Sequence, residues 1–245
     1  MSDLVVNIGA KSFPAVDRAP AQQALQDLAF SVSHGEFVCI TGPSGCGKTT
    51  LLNLLAGLDT DYQGEIRLPR VTGRTAPVVG YAFQAPRLLP WRTVQENLQL
   101  VADNPRGSDS VDELLQLTGL QDFRHAYPQR LSTGMQRRVA LARAFVVSPD
   151  LLLMDEPFVS LDEPTAVRLR LLLLEVWQAR PTTVIFVTHD LREAIQLGGR
   201  ILQLTDTPGR IALDVPVNLS STERADPAVI EHHRLRLLES AQARH

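Results

Sequence analysis

The chain has 245 residues, 44% of them apolar and 21% charged, and its formal net charge is −3. This balance is typical of a globular protein with a sizeable core, and it excludes a strongly basic, nucleic-acid-binding surface. The longest apolar runs, such as LLLM and TTVIFV, are far shorter than the ~20 residues of a membrane-spanning helix, so any role at a membrane is expected to be peripheral.

Short apolar runs alternate with helical patterns along the chain, which predicts an α/β fold with a mainly parallel sheet. EFVCI (36–40) is predicted to be a buried strand that ends at a Gly-rich turn, and TLLNLLAGL follows as a helix capped by Gly57. GEIRL and VVGYAF are predicted strands, and the Pro-, Gly-, Thr- and Arg-rich region 65–80 is interpreted as an edge or loop connection.

Residues 88–147 are predicted to be mostly helical and to form an inserted lobe, in which Ser110 and Glu113 fit a capping box that starts the helix DELLQLTGL. DLLLMD and TTVIFVT are continuous apolar runs, as expected of strands covered on both faces. A long helix between them is predicted to start near Pro164 and to end before Pro181.

The C-terminal residues 211–245 are polar and are expected to form a short, weakly helical tail of a single domain that spans residues 1–245. Cys39 and Cys46 form no CxxC pair, so reduced thiols are expected rather than a zinc site or a disulfide framework. Cys46 lies near a predicted helix N-terminus, which predicts a lowered thiol pKa. The N-terminal MSDLVVNIGA lacks the features of a signal peptide, so the protein is expected to stay in the cytosol.

The strongest local motif is GPSGCGKTT, which follows a predicted strand and precedes a predicted helix, as in a P-loop. Its glycines allow backbone N–H groups to face phosphate oxygens, and the helix N-terminus adds a partial positive charge. Lys48 is expected to reach the outer phosphates and Thr49 to bind Mg²⁺; a purely structural glycine turn is the alternative. The predicted nucleotide contacts of this motif are Gly42, Pro43, Ser44, Gly45, Cys46, Gly47, Lys48, Thr49 and Thr50.

Three further polar positions follow predicted strands. In LLLMDEP, Asp155 can face Mg²⁺ and Glu156 can act as general base on a water beyond the γ-phosphate, because successive strand residues point to opposite sides. His189 lies just past a strand's carboxyl end, where ligands collect in open α/β sheets, and can contact the γ-phosphate. Gln84 is a candidate ligand of Mg²⁺ or of the attacking water. A helix cap, a structural histidine and ordinary loop polarity are the respective alternatives.

The segment LSTGMQRRVALARAF opens on small residues that suit a helix N-terminus and contains no carboxylate. Such a helix start, with the Ser132 hydroxyl and the Gly134 amide, can close the open side of a nucleotide. If position 133 required a positive φ, Thr133 would be strained; if it starts the helix with ordinary angles, Thr is tolerated and can help to cap it. We favour the second interpretation.

GPSGCGKTT, Gln84, LSTGMQ, LLLMDEP, SLD (160–162) and His189 stand in the order found in ATP-binding subunits of ABC transporters, which this chain resembles over roughly residues 4–210. The resemblance implies a P-loop NTPase (RecA-like) core, an N-terminal antiparallel β subdomain and an inserted helical lobe. It also implies ATP and Mg²⁺ as cofactors. Two copies are expected to form a head-to-tail dimer, with each ATP between the P-loop of one copy and LSTGMQ of the other.

The resemblance assigns roles residue by residue. Phe13 is expected to stack on adenine, and Asp162 to lie at the interface between copies. Thr133 and Met135 depart from the usual LSGGQ, but Ser132 and Gly134 are retained. The predicted catalytic residues are Glu156, His189, Lys48 and Gln84, the metal ligands are Thr49, Gln84 and Asp155, and the further nucleotide contacts are Phe13, Ser132, Thr133, Gly134, Gln136 and Asp162.

Within this family, FQAPRLLPW, TVQENL and DTPGRI resemble importers of nitrate, taurine and aliphatic sulfonates. The short chain and the brief connection before Gln84 favour the aliphatic sulfonate members of that group. The resemblance implies a transport ATPase at the cytoplasmic face of the bacterial inner membrane. Its partners would be membrane permease subunits, indirectly a periplasmic or lipoprotein solute-binding protein, and no nucleic acid. APRLLPW is expected to contact the permease, although Trp91 as a core residue of the lobe is the alternative.

Other functions remain open at this point. Taurine or nitrate is an alternative solute. A permease-free soluble ABC ATPase is disfavoured because the chain has one ATP module and no heptad tract. Glu156 disfavours a non-hydrolysing nucleotide-binding module.

Overall fold

The computed structural model describes residues 2–15, 20–69, 76–102 and 107–242. The chain divides into two compact units, unit 1 (Met1–Gly73 with Thr183–His245) and unit 2 (Arg74–Thr182).

The elements of the described residues confirm the predicted α/β class. The strands are β1 (Leu4–Phe13), β2 (Gln22–Val32), β3 (Phe37–Thr41), β4 (Gln63–Arg67), β5 (Val79–Ala82), β6 (Leu151–Asp155), β7 (Thr183–Val187), β8 (Arg200–Leu204) and β9 (Ile211–Pro216). The helices are α1 (Lys48–Leu55), α2 (Val94–Gln99), α3 (Gly107–Leu117), α4 (Thr133–Val146), α5 (Glu163–Ala179), α6 (Leu191–Leu197), α7 (Ser221–Arg224) and α8 (Pro227–Gln242).

Unit 1 contains the predicted N-terminal antiparallel β subdomain, in the order β2-β1-β4. Leu4, Val6 and Ile8 of β1 are buried and alternate with exposed residues, because only one face of this sheet is covered. The second sheet region of unit 1 has β3 between β7 and β8, both parallel to it, and β9 runs antiparallel to β8. Every residue of β3 and β7 is buried, as their continuous apolar runs predict.

Unit 2 contains the parallel pair β5 and β6 and the helices from α2 to α5. Pro164 lies in the first turn of α5, and Pro181 follows the end of that helix, as predicted. The predicted capping box at Ser110 is wrong, because α3 already begins at Gly107. The Ser110 hydroxyl instead accepts a hydrogen bond from Arg180 at 2.8 Å.

The structure places capping boxes at two other helices. Thr93 and Glu96 form one at the start of α2, and Ser220 and Glu223 form one at the start of α7. The C-terminal residues are more regular than the expected weakly helical tail, since β9 pairs along β8 and α8 packs against α6.

Candidate nucleotide-binding site

The GPSGCGKTT segment forms a tight loop between β3 and α1 in unit 1. Gly47, the residue before α1, has φ 97°, and a Cβ there would lie 2.6 Å from Leu25 Cδ2 and 2.9 Å from the Ala24 carbonyl oxygen. Only glycine fits both the left-handed backbone and this close approach. The first turn of α1 contains no acidic residue, so its N-terminal amides favour an anion.

Lys48 is 6% exposed and folds back over the loop. Its ammonium donates hydrogen bonds to the carbonyl oxygens of Gly42 and Pro43, both at 2.8 Å. The Lys48 ammonium is therefore held at the loop by two neutral carbonyl oxygens, and neither of these two partners is a carboxylate. An incoming phosphate offers this ammonium a charged acceptor, and hydrogen bonds to charged acceptors are the stronger ones.

The expected low thiol pKa of Cys46 is wrong. The side chain is buried, and this burial raises the pKa of the thiol, although the charge of Lys48 opposes the shift. A helix N-terminus lowers a thiol pKa and burial raises it, and at Cys46 burial is the larger effect. Cys46 is therefore a packing residue of the loop rather than a reactive one.

Phe13 ends β1 and is 42% exposed, with one face over Lys11. The Lys11 ammonium lies 4.8 Å from the centre of the Phe13 ring and makes a 2.8 Å ion pair with Asp59. Because Lys11 is 3% exposed, the pair holds a buried cation beneath the ring. This arrangement is compatible with the predicted stacking of adenine on Phe13, which stays a prediction.

His189 is exposed and lies between β7 and α6, also in unit 1. The Asp190 side chain caps α6 by accepting from the Arg192 amide at 2.8 Å, and the Thr188 hydroxyl donates to Glu193 at 2.7 Å. Hydrogen bonds on both sides therefore fix the backbone that carries the imidazole.

Asp155 and Glu156 lie at the carboxyl end of β6 in unit 2. Asp155 is 5% exposed. The pKa of nearby Tyr81 is raised by the burial of Tyr81 itself and, to a smaller extent, by the negative charge of Asp155. Glu156 has φ 43°, an uncommon backbone conformation for a residue other than glycine. The turn after β6 is therefore strained at Glu156. Backbone strain of this kind is frequently found at functional residues.

The LSTGMQ segment starts α4 in unit 2. Ser132 is the N-cap, and its hydroxyl accepts a hydrogen bond from the Met135 amide at 3.3 Å. Thr133 is the first helical residue with ordinary geometry, so the interpretation that Thr is tolerated here is confirmed, although Ser132 supplies the cap. Ser132 and Thr133 are exposed, and the first turn has no acidic residue.

Two other predicted nucleotide contacts make local hydrogen bonds in unit 2. The Gln136 amide donates to the carbonyl oxygens of Pro128 and Leu131, at 3.0 and 3.2 Å. Asp162 is the N-cap of α5, and its carboxylate accepts from the hydroxyl and the amide of Thr165, which lowers the pKa of Asp162. Their roles toward a nucleotide stay predictions.

Sequence reasoning missed Arg137, which holds Gln84. Gln84 is exposed, and its backbone carbonyl oxygen accepts a hydrogen bond from the Arg137 guanidinium. The other arm of the same guanidinium donates to the Val159 carbonyl oxygen at 3.3 Å. Arg137 thus ties α4 to the segment after β5 and to the segment after β6.

The APRLLPW segment is organised by two side chains of unit 2. Arg143 donates to the carbonyl oxygens of Pro86 and Arg87, both at 2.8 Å. Fully buried Asn97 bonds both the amide and the carbonyl of Leu89, at 2.8 and 3.2 Å. Trp91 is 68% exposed, which rules out the alternative that it is a core residue.

The candidate metal ligands are a hydroxyl (Thr49), a carboxylate (Asp155) and an amide (Gln84). Oxygen donors of this kind, with phosphate oxygens and water, are what Mg²⁺ prefers, so each of these side chains suits the ion by its chemistry, and their joint use stays a prediction. Within the described part of the chain, no group of three or more His, Cys, Asp or Glu residues is arranged to hold a metal. None of the described helices has the length and apolar character needed to cross a bilayer.

The sequence profile described as ABC transporter matches residues 25–159, more than half of the chain. The chain belongs to the ABC transporter family. The resemblance inferred from the sequence is thereby confirmed, and with it the class of ABC-type transport ATPase.

Named relatives cover most of the chain. It is 40% identical over 223 residues to the aliphatic sulfonates import ATP-binding protein SsuB of Bacillus subtilis, covering 89% of this chain and 86% of that one. It is 45% identical over 222 residues to the aliphatic sulfonates import ATP-binding protein SsuB 2 of Burkholderia lata, covering 89% and 81%.

Solved structures of this family are similar as well. The dimeric ATP-binding cassette MJ0796 in a post-hydrolysis state with ADP and Pi has a TM-score of 0.74 and 28% identity, over 89% of this chain and all of that one. A second dimeric structure of MJ0796, described as a bacterial ABC transporter cassette, has the same values. The P-loop NTPase core predicted from the sequence is thereby confirmed.

Proposed function

We propose that this chain is the ATP-hydrolysing subunit of an importer of aliphatic sulfonates. The observation that carries the proposal is the 40 and 45% identity, over 89% of the chain, to proteins named for aliphatic sulfonate import. Two copies bind two ATP molecules and drive a membrane permease from the cytoplasmic face of the cell membrane. A periplasmic or lipoprotein solute-binding protein delivers the solute to that permease.

Each ATP is held by the P-loop of one copy and the start of α4 in the other. The P-loop amides and Lys48 bind phosphate oxygens, and Phe13 stacks on adenine. Ser132 and Gly134 of the second copy close over the γ-phosphate. The exposed start of α4, which lacks acidic residues in its first turn, supports this assignment because an anion is favoured there.

Hydrolysis needs a base and an oriented water. Glu156 accepts the proton of the attacking water, and His189 contacts the γ-phosphate. Thr49, Asp155 and Gln84 hold Mg²⁺, which when bound neutralises charge on the phosphates. The buried Asp155 carboxylate and the strained turn at Glu156 support these separate roles.

Growth of a bacterial strain that lacks its own importer ATPase tests the solute. Complementation by this chain should restore growth on aliphatic sulfonates as sole sulfur source, and Glu156→Gln should not. Taurine as sulfur source and nitrate as nitrogen source are the comparison arms. Growth restored only on taurine or nitrate would contradict the assigned solute, and growth restored by Glu156→Gln would contradict the assigned base.

A further inference from the structure

The turn between β8 and β9, residues 205–210, is closed by its own backbone and by Thr205. The Thr205 amide donates to the Arg210 carbonyl oxygen at 2.9 Å, and the Arg210 amide donates to the Thr205 hydroxyl oxygen at 3.0 Å. This turn contains most of DTPGRI, a segment to which the proposed mechanism gives no role. Its internal hydrogen bonds make it a defined structural unit.

The turn contacts the P-loop at two successive peptide groups. The Thr207 hydroxyl donates to the Gly45 carbonyl oxygen at 2.9 Å. Gly209 lies so close to the next residue of the loop that a Cβ on it would be 2.1 Å from the Cys46 carbonyl oxygen. The turn and the loop are therefore packed backbone to backbone.

The opposite side of the turn is held by β2. The Gly209 amide donates to the Ala24 carbonyl oxygen at 2.9 Å, and the Gln26 amide donates to the Gly209 carbonyl oxygen at 3.1 Å. Gly209 thereby forms a bridge with Leu25. The turn is anchored to a sheet, so Thr207 approaches the P-loop from a fixed support.

The peptide that joins Gly45 to Cys46 needs such a support. Gly45 is exposed with φ 83°, and a Cβ there would meet no heavy atom of the described residues within 4 Å, so packing does not fix this glycine. The peptide is planar, so a donor that holds the Gly45 carbonyl also sets the direction of the Cys46 N–H. That N–H makes a long hydrogen bond to the Pro43 carbonyl oxygen, with an N···O distance of 3.4 Å, so a charged phosphate oxygen can replace this weak acceptor.

We propose that Thr207 is a positioning residue for nucleotide binding, whose hydroxyl holds the Gly45–Cys46 peptide in the orientation that presents the Cys46 N–H to a phosphate oxygen. The inference rests on the proposed role of the P-loop. A loop whose conformation is fixed before the ligand arrives loses little conformational entropy on binding, and this favours affinity. Phosphate contacts are common to ATP and ADP, so Thr207 acts on both nucleotides.

The test compares MgATP and MgADP dissociation constants and steady-state ATPase kinetics for the full chain and four variants. Thr207→Val keeps the shape and removes the hydroxyl, and Thr207→Ser retains the hydroxyl. Thr222→Val is a matched control in the same unit, since the Thr222 hydroxyl lies 3.1 Å from that of Ser220 in α7, a helix that packs against α6 and α8. Lys48→Ala tests the P-loop itself.

Thr207→Val is expected to weaken binding of both nucleotides about three- to tenfold, the range of one net hydrogen bond, and to raise KM with kcat within about twofold. Thr207→Ser and Thr222→Val should stay within about twofold of the parent. A merely structural Thr207 would lower the melting temperature of the nucleotide-free chain without this rise in KM.

Two outcomes overturn the inference while leaving the proposed function intact. In the first, Lys48→Ala loses nucleotide binding but Thr207→Val binds within twofold of the parent. In the second, Thr207→Ser is as weak as Thr207→Val, so the hydroxyl is irrelevant. Unchanged nucleotide binding by Lys48→Ala would instead overturn the P-loop assignment and the inference together.

Discussion

The guanidinium of Arg137 donates a hydrogen bond to the backbone carbonyl oxygen of Gln84, which lies 53 positions earlier in the sequence. The same group reaches the Val159 carbonyl oxygen, three residues past Glu156. One side chain of the LSTGMQRR helix therefore holds the segments that carry a proposed metal ligand and the proposed base.

Arg137→Met should lower the kcat of ATP hydrolysis about tenfold and the free energy of unfolding by about 1 kcal/mol, because two carbonyl partners are lost. Arg137→Lys should be intermediate, since an ammonium lacks the forked geometry that bridges both carbonyls. Arg138→Met is the matched control, because Arg138 makes only a 3.5 Å contact with the Thr118 carbonyl oxygen among the hydrogen bonds described for it. A kcat of Arg137→Met within twofold of the parent would refute this role.

Asp59→Asn should lower the free energy of unfolding by about 2 kcal/mol, because the buried Lys11 ammonium loses its 2.8 Å ion pair. It keeps the Asp61 carbonyl oxygen at 2.6 Å and the exposed Asp61 carboxylate at 3.5 Å. The Lys11 hydrogen bond lowers the pKa of Asp59. Burial opposes charge on Lys11, but its partners, Asp59 first, raise the Lys11 pKa overall. Urea denaturation of both proteins measures the loss.

The sign of these shifts sets the pH dependence. The Asp59 contribution is present above the unfolded pKa of about 3.9 and is lost as pH falls through the lower folded value. The Lys11 contribution is present below the unfolded pKa of about 10.4 and is lost as pH rises through the higher folded value. In Asp59→Asn the acid-side loss should shrink, whereas Glu65→Gln, in the exposed Glu65–Arg67 pair, should have a much smaller effect on stability. Identical acid-side curves for Asp59→Asn and the parent would show that the pair does not matter.

Thr133→Gly should change ATPase activity by less than about tenfold, a barrier difference of roughly 1.4 kcal/mol. Thr133 starts α4 in ordinary helical geometry, and the capping hydroxyl belongs to Ser132, so glycine removes no hydrogen bond described for this site. Steady-state kinetics of Thr133→Gly beside Ser132→Ala separates the two positions. A larger loss in Thr133→Gly than in Ser132→Ala would contradict this account.

Trp91→Ala should leave the stability and the basal ATPase activity of the isolated chain nearly unchanged, because the indole is 68% exposed. Binding to a detergent-solubilised aliphatic sulfonate permease should weaken tenfold or more, as is common when a large exposed aromatic at an interface is truncated. Leu58→Ala, 63% exposed in unit 1, is the control. Equal permease binding by Trp91→Ala and the parent would exclude Trp91 from that interface.

The elements that the sequence predicted well carry a strong local signal. β3, β6 and β7 are continuous apolar runs, and every residue in them is buried. α5 has a proline at its start and another just past its end. The candidate site motifs carry a local signal of the same kind, since the P-loop and the strand-end carboxylates are each contiguous in sequence, and their roles in catalysis stay predictions.

Local patterns failed where a short motif recurs by chance or where apolar periodicity is weak. The Ser110–Glu113 pattern occurs inside α3, where Ser110 bonds to Arg180 instead of capping. α8 runs for 16 residues although its sequence gave only a weak helical signal. The capping box at Thr93, by contrast, lies within TVQENL, a segment whose sequence pattern predicts a family likeness rather than a helix start.

The remaining features depend on partners that are distant in sequence. Arg137 meets Gln84, Lys11 meets Asp59, and Thr207 meets Gly45 across separations of 53, 48 and 162 residues. Each contact ends on a backbone carbonyl or on a single carboxylate, which leaves no pattern in the surrounding sequence. The burial of Cys46 likewise depends on tertiary packing. Its position near a helix N-terminus predicts a lowered thiol pKa and contains no information about that burial.

The mass of Glu156→Gln in solution tests most directly whether each ATP is bound by two copies of this chain. With MgATP, this variant should elute at twice the chain mass of 27.0 kDa, and without nucleotide at 27.0 kDa. Adding Ser132→Asp retains a good N-cap but puts a carboxylate against the γ-phosphate, so that protein should bind ATP and remain at 27.0 kDa. Ser132→Asn, added to Glu156→Gln in the same way, retains an N-cap without a charge, and this protein should still dimerise with MgATP. A Glu156→Gln chain that binds MgATP yet stays monomeric, or a dimer unaffected by Ser132→Asp, would contradict the account.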